Sequence, residues 1–441
     1  MEIDDILSKL HIDTLNAMQI DVARLVSGTA DDIMVLSPTG SGKTLAYLLP
    51  LVFKLDPRVD FLQMVVMVPS RELAKQSVDV LRSMGVPFRG LALYGGRAAM
   101  DEHREIKKVV PQIVFATPGR LNDHIAKGNI NPRSVKVLVI DEFDKCLEMG
   151  FADEMQKVFD SLKLVERRIL LSATRSDEMP RFVHMQSASV VDYTVPDSGI
   201  NASERISSFV VRSPERDKLN TLEKLLRSFG EKSSIVFLNY RDSVERVFAF
   251  LADRGFVLSK YHGGLDQNER EDNLYMFSNG SATVLVSTDL ASRGLDIPDV
   301  DNIVHYHLPN GKAEYIHRVG RTARWDAEGR TFVLVGPGEK LPEYLDSNMP
   351  EFELPEELPD VPRPRMSTIY IGKGKRDKIS KSDVLGFLCK KCKLRSSDIG
   401  KIDVMERFCY AAVSRDKASQ VLRLANGEKI KGVRTQFSLK H

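Results

Sequence analysis

Two apolar runs in this 441-residue chain end in residues that handle phosphate. Ile33-Met34-Val35-Leu36 leads into Ser37-Pro38-Thr39-Gly40-Ser41-Gly42-Lys43-Thr44, and Val137-Leu138-Val139-Ile140 leads into Asp141-Glu142-Phe143-Asp144. A buried strand that opens into a glycine-rich turn and then a helix makes a phosphate cradle. Backbone N–H groups point at the anion, Lys43 reaches the outer phosphates and the Thr44 hydroxyl ligates magnesium. A second buried strand ending in carboxylates supplies Asp141 to hold the hydrated metal and Glu142 to activate water. Together they imply hydrolysis of a nucleotide.

These residues need strands to position them. Short, continuous apolar runs alternate with helical stretches over residues 30–190: Ile33–Leu36, Met64–Val68, Ile113–Ala116, Val137–Ile140 and Ile169–Leu171. Runs without polar alternation suit strands covered on both faces, so a doubly wound parallel sheet is expected, with its chemistry at the strand carboxyl ends. A second series, Ser233–Leu238, Val284–Val286, Ile303–Tyr306 and Thr331–Val335, repeats the alternation without a GKT. Residues 341–365 then carry six prolines and seven acidic residues, the composition of an extended linker. Beyond it, a strand at Thr368–Ile371, a helix at Lys381–Leu394, strands at Ile399–Val404 and Phe408–Val413, a helix at Asp416–Ala425 and a strand at Thr435–Leu439 are expected. That is a β-α-β-β-α-β order, common among RNA-binding modules. The expected domains are thus 1–200, 201–340, a linker at 341–365, and 366–441.

The composition, 42% hydrophobic and 28% charged, is that of an ordinary soluble protein, and no apolar run reaches membrane-spanning length. The acidic N-terminus lacks the order of a signal peptide, and four cysteines suit a reducing compartment, so the cytoplasm is expected. Cys389 and Cys392 have no second pair at zinc-site spacing. The net charge of +2 conceals an asymmetry: residues 366–441 hold 18 Lys or Arg against 7 Asp or Glu, and residues 1–365 hold 45 against 54. A basic tail on an acidic engine suggests that the tail holds a polyanion.

The surrounding motifs narrow the activity. Pro69-Ser70-Arg71-Glu72-Leu73-Ala74, Thr117-Pro118-Gly119-Arg120, Asp141 to Asp144 and Ser172-Ala173-Thr174 occur in order in the first series. His262-Gly263, Gln267, Arg270, Ser287-Thr288-Asp289, Arg293-Gly294-Leu295-Asp296 and His317-Arg318-Val319-Gly320-Arg321-Thr322-Ala323-Arg324 follow in the second. Over residues 11–340 the chain resembles the DEAD-box family of ATP-dependent RNA helicases. The resemblance implies an α/β architecture of two tandem RecA-like doubly wound parallel-sheet domains, with ATP and Mg as cofactors.

It also implies roles. Gln19 would read adenine, Ser37, Pro38, Thr39, Gly40, Ser41, Gly42, Lys43 and Thr44 would hold phosphates and magnesium, and Asp141 would bind the metal through water. Glu142 would deprotonate the attacking water, and Arg321 and Arg324 would stabilise the transferred phosphoryl group from across a cleft. Asp144, Ser172, Ala173 and Thr174 would couple ATP to RNA. Pro69, Arg71, Gly95, Gly96, Thr117, Gly119 and Arg120, then Gln267, Arg270, Thr288 and Gly294, would line the RNA path. Asp296, counted with the nucleotide-binding set, would accept from a ribose hydroxyl, a contact that helps distinguish RNA from DNA. Several features depart from the family pattern: Phe143 replaces an alanine, Leu15-Asn16-Ala17-Met18 replaces Pro-Thr-Pro-Ile, Ser37 replaces a small alanine or glycine at the start of the cradle, Asn239 stands for a threonine and His307 for an aspartate.

The tail, through Lys378-Ile379, Asp383-Val384-Leu385-Gly386, Asp398-Ile399-Gly400-Lys401-Ile402 and Gly427-Glu428-Lys429-Ile430-Lys431-Gly432, resembles the C-terminal domain of the DbpA type of these helicases. That implies a small RRM-like α+β domain gripping structured large-subunit ribosomal RNA in pre-ribosomal particles. Tyr370 is a candidate base-stacking residue and Lys373, Lys375 and Arg376 are candidate RNA contacts. Phe408 and Tyr410 are either RNA-facing or core. The function expected is a monomeric helicase that unwinds short duplexes during ribosomal RNA remodelling. The alternatives are an ATP-dependent RNA clamp with little unwinding, or a DNA translocase.

Overall fold

The computed structural model describes residues 2–440 except 39, 97–98, 175–182, 184, 186–187, 195–205, 290–299 and 323–327. The described residues group into two compact units, one of 2–194 with 315–322, the other of 206–289, 300–314 and 328–440.

In the first unit, β1 (Ile33–Leu36), β2 (Met64–Met67), β3 (Gly90–Leu93), β4 (Ile113–Ala116), β5 (Val137–Ile140), β6 (Arg167–Ser172) and β7 (Ser189–Asp192) form one parallel sheet in the order β3-β4-β2-β5-β6-β1-β7. Alternate side chains serve opposite faces. Val35, Val66, Phe115, Val139 and Leu171 enter one apolar cluster, and Met67, Val114, Leu138, Ile140 and Leu170 enter another. Both faces are therefore covered, which is why these strands read as continuous apolar runs.

The second unit repeats the plan with β8 (Ile206–Arg212), β9 (Ser234–Phe237), β10 (Leu258–Tyr261), β11 (Val284–Ser287), β12 (Asn302–His305) and β13 (Gly329–Val335), all parallel, in the order β10-β11-β9-β12-β13-β8. The α/β doubly wound class is as expected. The 341–365 stretch is extended but is packed against this sheet: Val210 N–H donates to Pro350 O at 2.9 Å, and Phe352 N–H donates back to Val210 O at 2.8 Å. The Phe352 ring meets Phe332 edge-on at 5.2 Å. The segment is a strap along edge strand β8, and its few apolar residues supply the contact.

The C-terminal sheet is antiparallel, built from β14 (Met366–Ile371), β15 (Ile399–Val404), β16 (Cys409–Ser414) and β19 (Phe437–Leu439) in the order β15-β16-β14-β19, with a small hairpin of β17 (Lys429–Ile430) and β18 (Val433–Arg434) before the last strand. The expected β-α-β-β-α-β order is present, with that hairpin added. Ile369, Ile371, Ala411 and Val413 pack under the helices Lys381–Lys390 and Ala418–Ala425 through Val384, Leu388 and Val421. A serine caps the first of these helices reciprocally: Ser380 Oγ accepts Asp383 N–H and Asp383 Oδ2 accepts Ser380 N–H.

The opposite sheet face is occupied within the second unit by the helix Gln267–Ser278 and the turn after it. The Tyr410 ring packs tilted against Tyr275, centroids 4.9 Å apart, and its hydroxyl donates to Asp272, which also pairs with Lys440. Asn279 Nδ2 donates to Thr368 Oγ1 at 2.9 Å, and Thr368 Oγ1 donates to Ser281 Oγ at 2.9 Å. Tyr410 is thus buried against protein, at 3% exposure, while Tyr370 is half-buried beside Phe408, their rings 5.6 Å apart.

Gly374 pins the basic loop of this domain. A Cβ there would lie 2.3 Å from Met405 O and 2.6 Å from Phe408 N, where backbone gives little. Gly374→Ala is therefore expected to destabilise the C-terminal domain by about 1–3 kcal/mol through overpacking, read as a lower urea midpoint at constant slope. An unchanged midpoint would mean that the loop moves aside freely.

Candidate nucleotide and nucleic-acid site

β5, β6 and β1 are adjacent and parallel, so Asp141, Ser172 and Ser37 emerge along one sheet edge. Ser37 N–H donates to Ser172 O at 2.9 Å, which joins the cradle to β6. Gly40 and Gly42 have φ of 81° and 84°, a region open to glycine without a Cβ penalty. At Gly42 space matters as well, since a Cβ would lie 2.5 Å from Gln19 Nε2. Thr39 lies outside the described residues.

Gln19 is spent on protein here. Its Oε1 accepts Asn16 N–H at 3.0 Å in a capping box at the start of the helix Ala17–Gly28, and its Nε2 donates to Gly42 O at 3.3 Å. Asn16 Nδ2 adds a bond to Ser41 O at 2.9 Å. The residue expected to read adenine thus fastens a helix cap to the cradle. In the sequence Asn16 stood out only as part of a departure from the family pattern, although its type and its spacing from Gln19 are those of a capping box.

Lys43 Nζ donates to Ser37 O at 2.8 Å and Pro38 O at 3.0 Å. Burial lowers its pKa, against the opposing pull of Asp141, Asp144 and Glu142. Thr44 Oγ1 donates to Asp141 Oδ2 at 3.4 Å. Burial raises Asp141, and burial together with the charge of Asp141 pushes Glu142 up to about 7. Glu142 has φ 51° and ψ 52°, an uncommon conformation for a residue with a Cβ, and its Oε2 is buried without a hydrogen-bond partner among the described residues. An orphaned carboxylate oxygen next to a second carboxylate and a threonine hydroxyl is an all-oxygen donor set that fits a hard divalent cation. Among the described residues no cluster of three or more His, Cys, Asp or Glu forms a cage, so phosphate oxygens and water would complete such a site.

Asp144 joins two strand ends. Its Oδ2 accepts from Ala173 N at 3.2 Å, Thr174 N at 3.1 Å and Thr174 Oγ1 at 2.9 Å, while Ser172 Oγ donates to Thr174 O at 2.6 Å. Burial pulls Asp144 upward, but His317, whose Nε2 stands 3.5 Å away, with Lys43 and Thr174, holds it well below the usual carboxylate range. Arg321 belongs to the same unit, is 3% exposed, and its charge opposes the upward shift of Glu142. Arg324, Asp296 and Gly294 lie outside the described residues. Phe143 sits in the apolar cluster with Ile140, Cys146 and Leu170, so its ring replaces an alanine without intruding on the acids.

The same edge continues through β2, β4 and β3, with Pro69, Thr117 and Gly95 one or two residues beyond the strand ends. Ser70 caps the helix Arg71–Ser83, Gly96 takes φ of 94°, and Arg71 Nη1 stands 3.1 Å from where Gly96 would carry a Cβ. Arg120 is placed by Glu102, 3.3 Å away, and Gly119 has open space around it. In the second unit, Gln267 opens a helix capped by Asp266 and bonds Glu271 at 2.8 Å, Arg270 donates to Gly263 O at 2.8 Å, and Thr288 N–H donates to Tyr261 O at 3.2 Å. Asn239 Nδ2 donates to Leu308 O at 3.1 Å, and its N–H donates to His307 Nδ1 at 3.2 Å, so the two unusual residues hold each other. In the tail, Lys373 pairs with Asp377 at 3.1 Å, and Lys375 and Arg376 are exposed. Two buried residues beside these elements, Tyr47 near Asp141 in the helix after the cradle and Glu102 in a charged helix, were not singled out in the sequence.

Three family models match successive regions of the chain. The DEAD/DEAH box helicase family matches residues 16–182, the Helicase conserved C-terminal domain matches 217–326, and the DbpA RNA binding domain matches 368–438. The chain is 32% identical over 411 residues to the ATP-dependent RNA helicase DbpA of Escherichia coli, covering 91% of this chain and 89% of that protein. It is 34% identical over 331 residues to the DEAD-box ATP-dependent RNA helicase RhpA of Helicobacter pylori, covering 74% and 67%. Among solved structures, Mss116p bound to single-stranded RNA and AMP-PNP superposes with a TM-score of 0.68 at 25% identity, over 76% of this chain and 72% of that one. Dbp5 of Saccharomyces cerevisiae bound to RNA and ADP BeF3 gives 0.66 at 25% identity, over 76% and 87%.

The carboxylate cluster makes stability depend on pH. In the nucleotide-free, chelated protein, folded Glu142 keeps its proton between the ordinary value of 4.5 and about 7, whereas the unfolded chain releases it. The folded state then binds more protons, so Glu142 contributes a loss of stability, up to a few kcal/mol, as pH rises through that window. Denaturant titrations at about pH 5 and about pH 7.5 should show this slope, and Glu142→Gln should flatten it. An identical slope in the variant contradicts the assignment.

Proposed function

This chain belongs to the DEAD-box family of ATP-dependent RNA helicases, and on that premise we propose that it separates short RNA duplexes locally while remodelling structured ribosomal RNA during large-subunit assembly. The observation that supports this best is the pairing, in one chain, of an ATP-handling sheet edge with a basic domain matching the DbpA RNA binding domain over 368–438. A monomer acting on pre-ribosomal particles in the cytoplasm belongs to the same reading.

In this reading the amides of the cradle and Lys43 hold the phosphates, and Thr44 and, through water, Asp141 hold magnesium. When bound, the ion neutralises charge on the β- and γ-phosphate oxygens. Glu142 orients the attacking water and takes its proton, a task suited to a carboxylate whose affinity for protons is raised by burial. Arg321 and Arg324 place guanidinium groups against the transferred phosphoryl group. Gln19, with its amide reoriented, contributes to adenine recognition. Asp144, Ser172, Ala173 and Thr174 transmit phosphate occupancy to the RNA edge. Pro69, Arg71, Gly95, Gly96, Thr117, Gly119 and Arg120 contact the sugar–phosphate backbone, as do Gln267, Arg270, Thr288 and Gly294 of the second series, and such contacts carry little base specificity. In the tail the exposed cations Lys375 and Arg376, with Lys373, are the RNA contacts, and Tyr370 adds a partly exposed ring.

Steady-state ATPase assays with no nucleic acid, generic single-stranded RNA, ribosomal RNA and single-stranded DNA test this reading. Stimulation should be strongest with ribosomal RNA and absent with DNA. Deleting residues 366–441 should abolish the preference for ribosomal RNA but keep stimulation by generic RNA, and Glu142→Gln should abolish turnover yet preserve ATP binding. Equal stimulation by every polymer would discard the ribosomal target.

A further inference from the structure

Glu102 lies in the first turn of the helix Ala99–Val109 and is wholly buried, yet no step described above uses it. Its Oε1 accepts the backbone N–H of Tyr94, the residue before Gly95-Gly96, at 3.2 Å. Its Oε2 faces the Arg120 guanidinium at 3.3 Å and His124 Nε2 at 3.0 Å. His124 is equally buried and shares the helix Pro118–Ala126 with Arg120. Asn129 Nδ2 stands 3.0 Å from His124 Nδ1. With that amide donating, Nε2 carries the hydrogen and donates to Glu102. A carboxylate is costly to bury unless its oxygens are satisfied. Here the donors come from two separate segments, the turn after β3 and the helix after β4.

We propose that Glu102 is a positioning residue for RNA: its single carboxylate sets the spacing between the Gly95-Gly96 turn and the Arg120 guanidinium before a strand arrives. The proposal rests on reading both elements as RNA contacts. A long arginine side chain loses rotamer freedom when it grips a phosphate, and a buried ionic partner removes that freedom in advance. Arg120 is only 13% exposed at its side chain, so it presents an edge of its guanidinium in a fixed direction. The turn is bounded on its other side by Arg71, whose Nη1 lies 3.1 Å from the absent Gly96 Cβ. A turn released from Glu102 therefore shifts relative to two cations. A phosphodiester strand that touches all three elements would lose their common register.

The test is steady-state ATPase of the full chain against the concentration of a generic single-stranded RNA. Glu102→Ala should raise the RNA concentration for half-maximal activity by roughly 10-fold or more, since it removes a charge-assisted bond and a second anchor. Activity at saturating RNA, and nucleotide affinity without RNA, should stay within about twofold, because neither depends on the spacing. Glu102→Gln offers one acceptor where the carboxylate offers two, and should give a smaller rise, about threefold or more, with the same split. If the alanine variant does not fold, the glutamine variant decides alone. A folded variant with wild-type half-saturation overturns the proposal, and so does a parallel loss of RNA affinity, turnover and nucleotide affinity, which marks a general structural role. Arg120→Ala is the control. If it leaves RNA half-saturation unchanged, the RNA-path reading and this proposal both fail. If it weakens RNA while Glu102→Ala and Glu102→Gln do not, the proposal alone fails.

Discussion

One oxygen atom, Asp144 Oδ2, ties the end of β5 to the end of β6 by accepting two backbone N–H groups and a hydroxyl from Ala173 and Thr174. Adjacent parallel strands already bring these ends together, but strand pairing stops where the chemistry begins. Beyond the last ladder bond, side chains must satisfy the backbone. Asp144 does so for the segment after β6, while the backbone bond from Ser37 N–H to Ser172 O holds the start of the cradle to β6. The cradle, the acids and the serine–alanine–threonine segment are therefore one hydrogen-bonded edge. A displacement at any of them has to be passed on or broken.

The edge is also an electrostatic arrangement. Asp141, Glu142 and Asp144 are all buried, and Lys43 is buried among them. Their environments push them apart: Asp144 is held ionised by its hydrogen bonds and by His317, while burial and the charge of Asp141 raise Glu142. Carboxylates a few residues apart are thus suited to different tasks, one as a fixed acceptor and another as a group that exchanges a proton. Along the same edge, Pro69, Thr117 and Gly95 follow β2, β4 and β3, and Gly96 takes a φ of 94° that glycine adopts without a Cβ penalty.

Much of this was legible in the sequence, for identifiable reasons. Strands β1, β2, β4, β5 and β6 are covered on both faces, and their unbroken apolar runs announced them. The strands that escaped notice are short, mixed or at an edge. β3 begins at a glycine, β10 contains Lys260, and β7 and β8 are edge strands with exposed positions. The cradle and the acids were visible because phosphate chemistry demands fixed residue types at fixed spacing. Glu102 was not visible, because a glutamate within Asp101-Glu102-His103-Arg104-Glu105 reads as one more solvated charge until the fold turns it inward. Gln19 shows a different limit: residue type was legible, but an amide that also completes a helix cap has partners that only the structure reveals. Tyr410 and the 341–365 strap make the same point for the tail. Their residue types suited RNA stacking or a free linker, and packing within the second unit took them up instead.

The measurement that bears most directly on this account is the linkage between nucleotide and RNA binding. The affinity of a non-hydrolysable ATP analogue would be measured with and without single-stranded RNA, and the affinity for RNA with and without the analogue, in the wild type and in Asp144→Asn. The account predicts that in the wild type each ligand tightens the other by the same factor. In Asp144→Asn that factor should fall toward one while each ligand, tested alone, still binds. A folded variant with full coupling would contradict the claim that Asp144 joins the two halves of the edge.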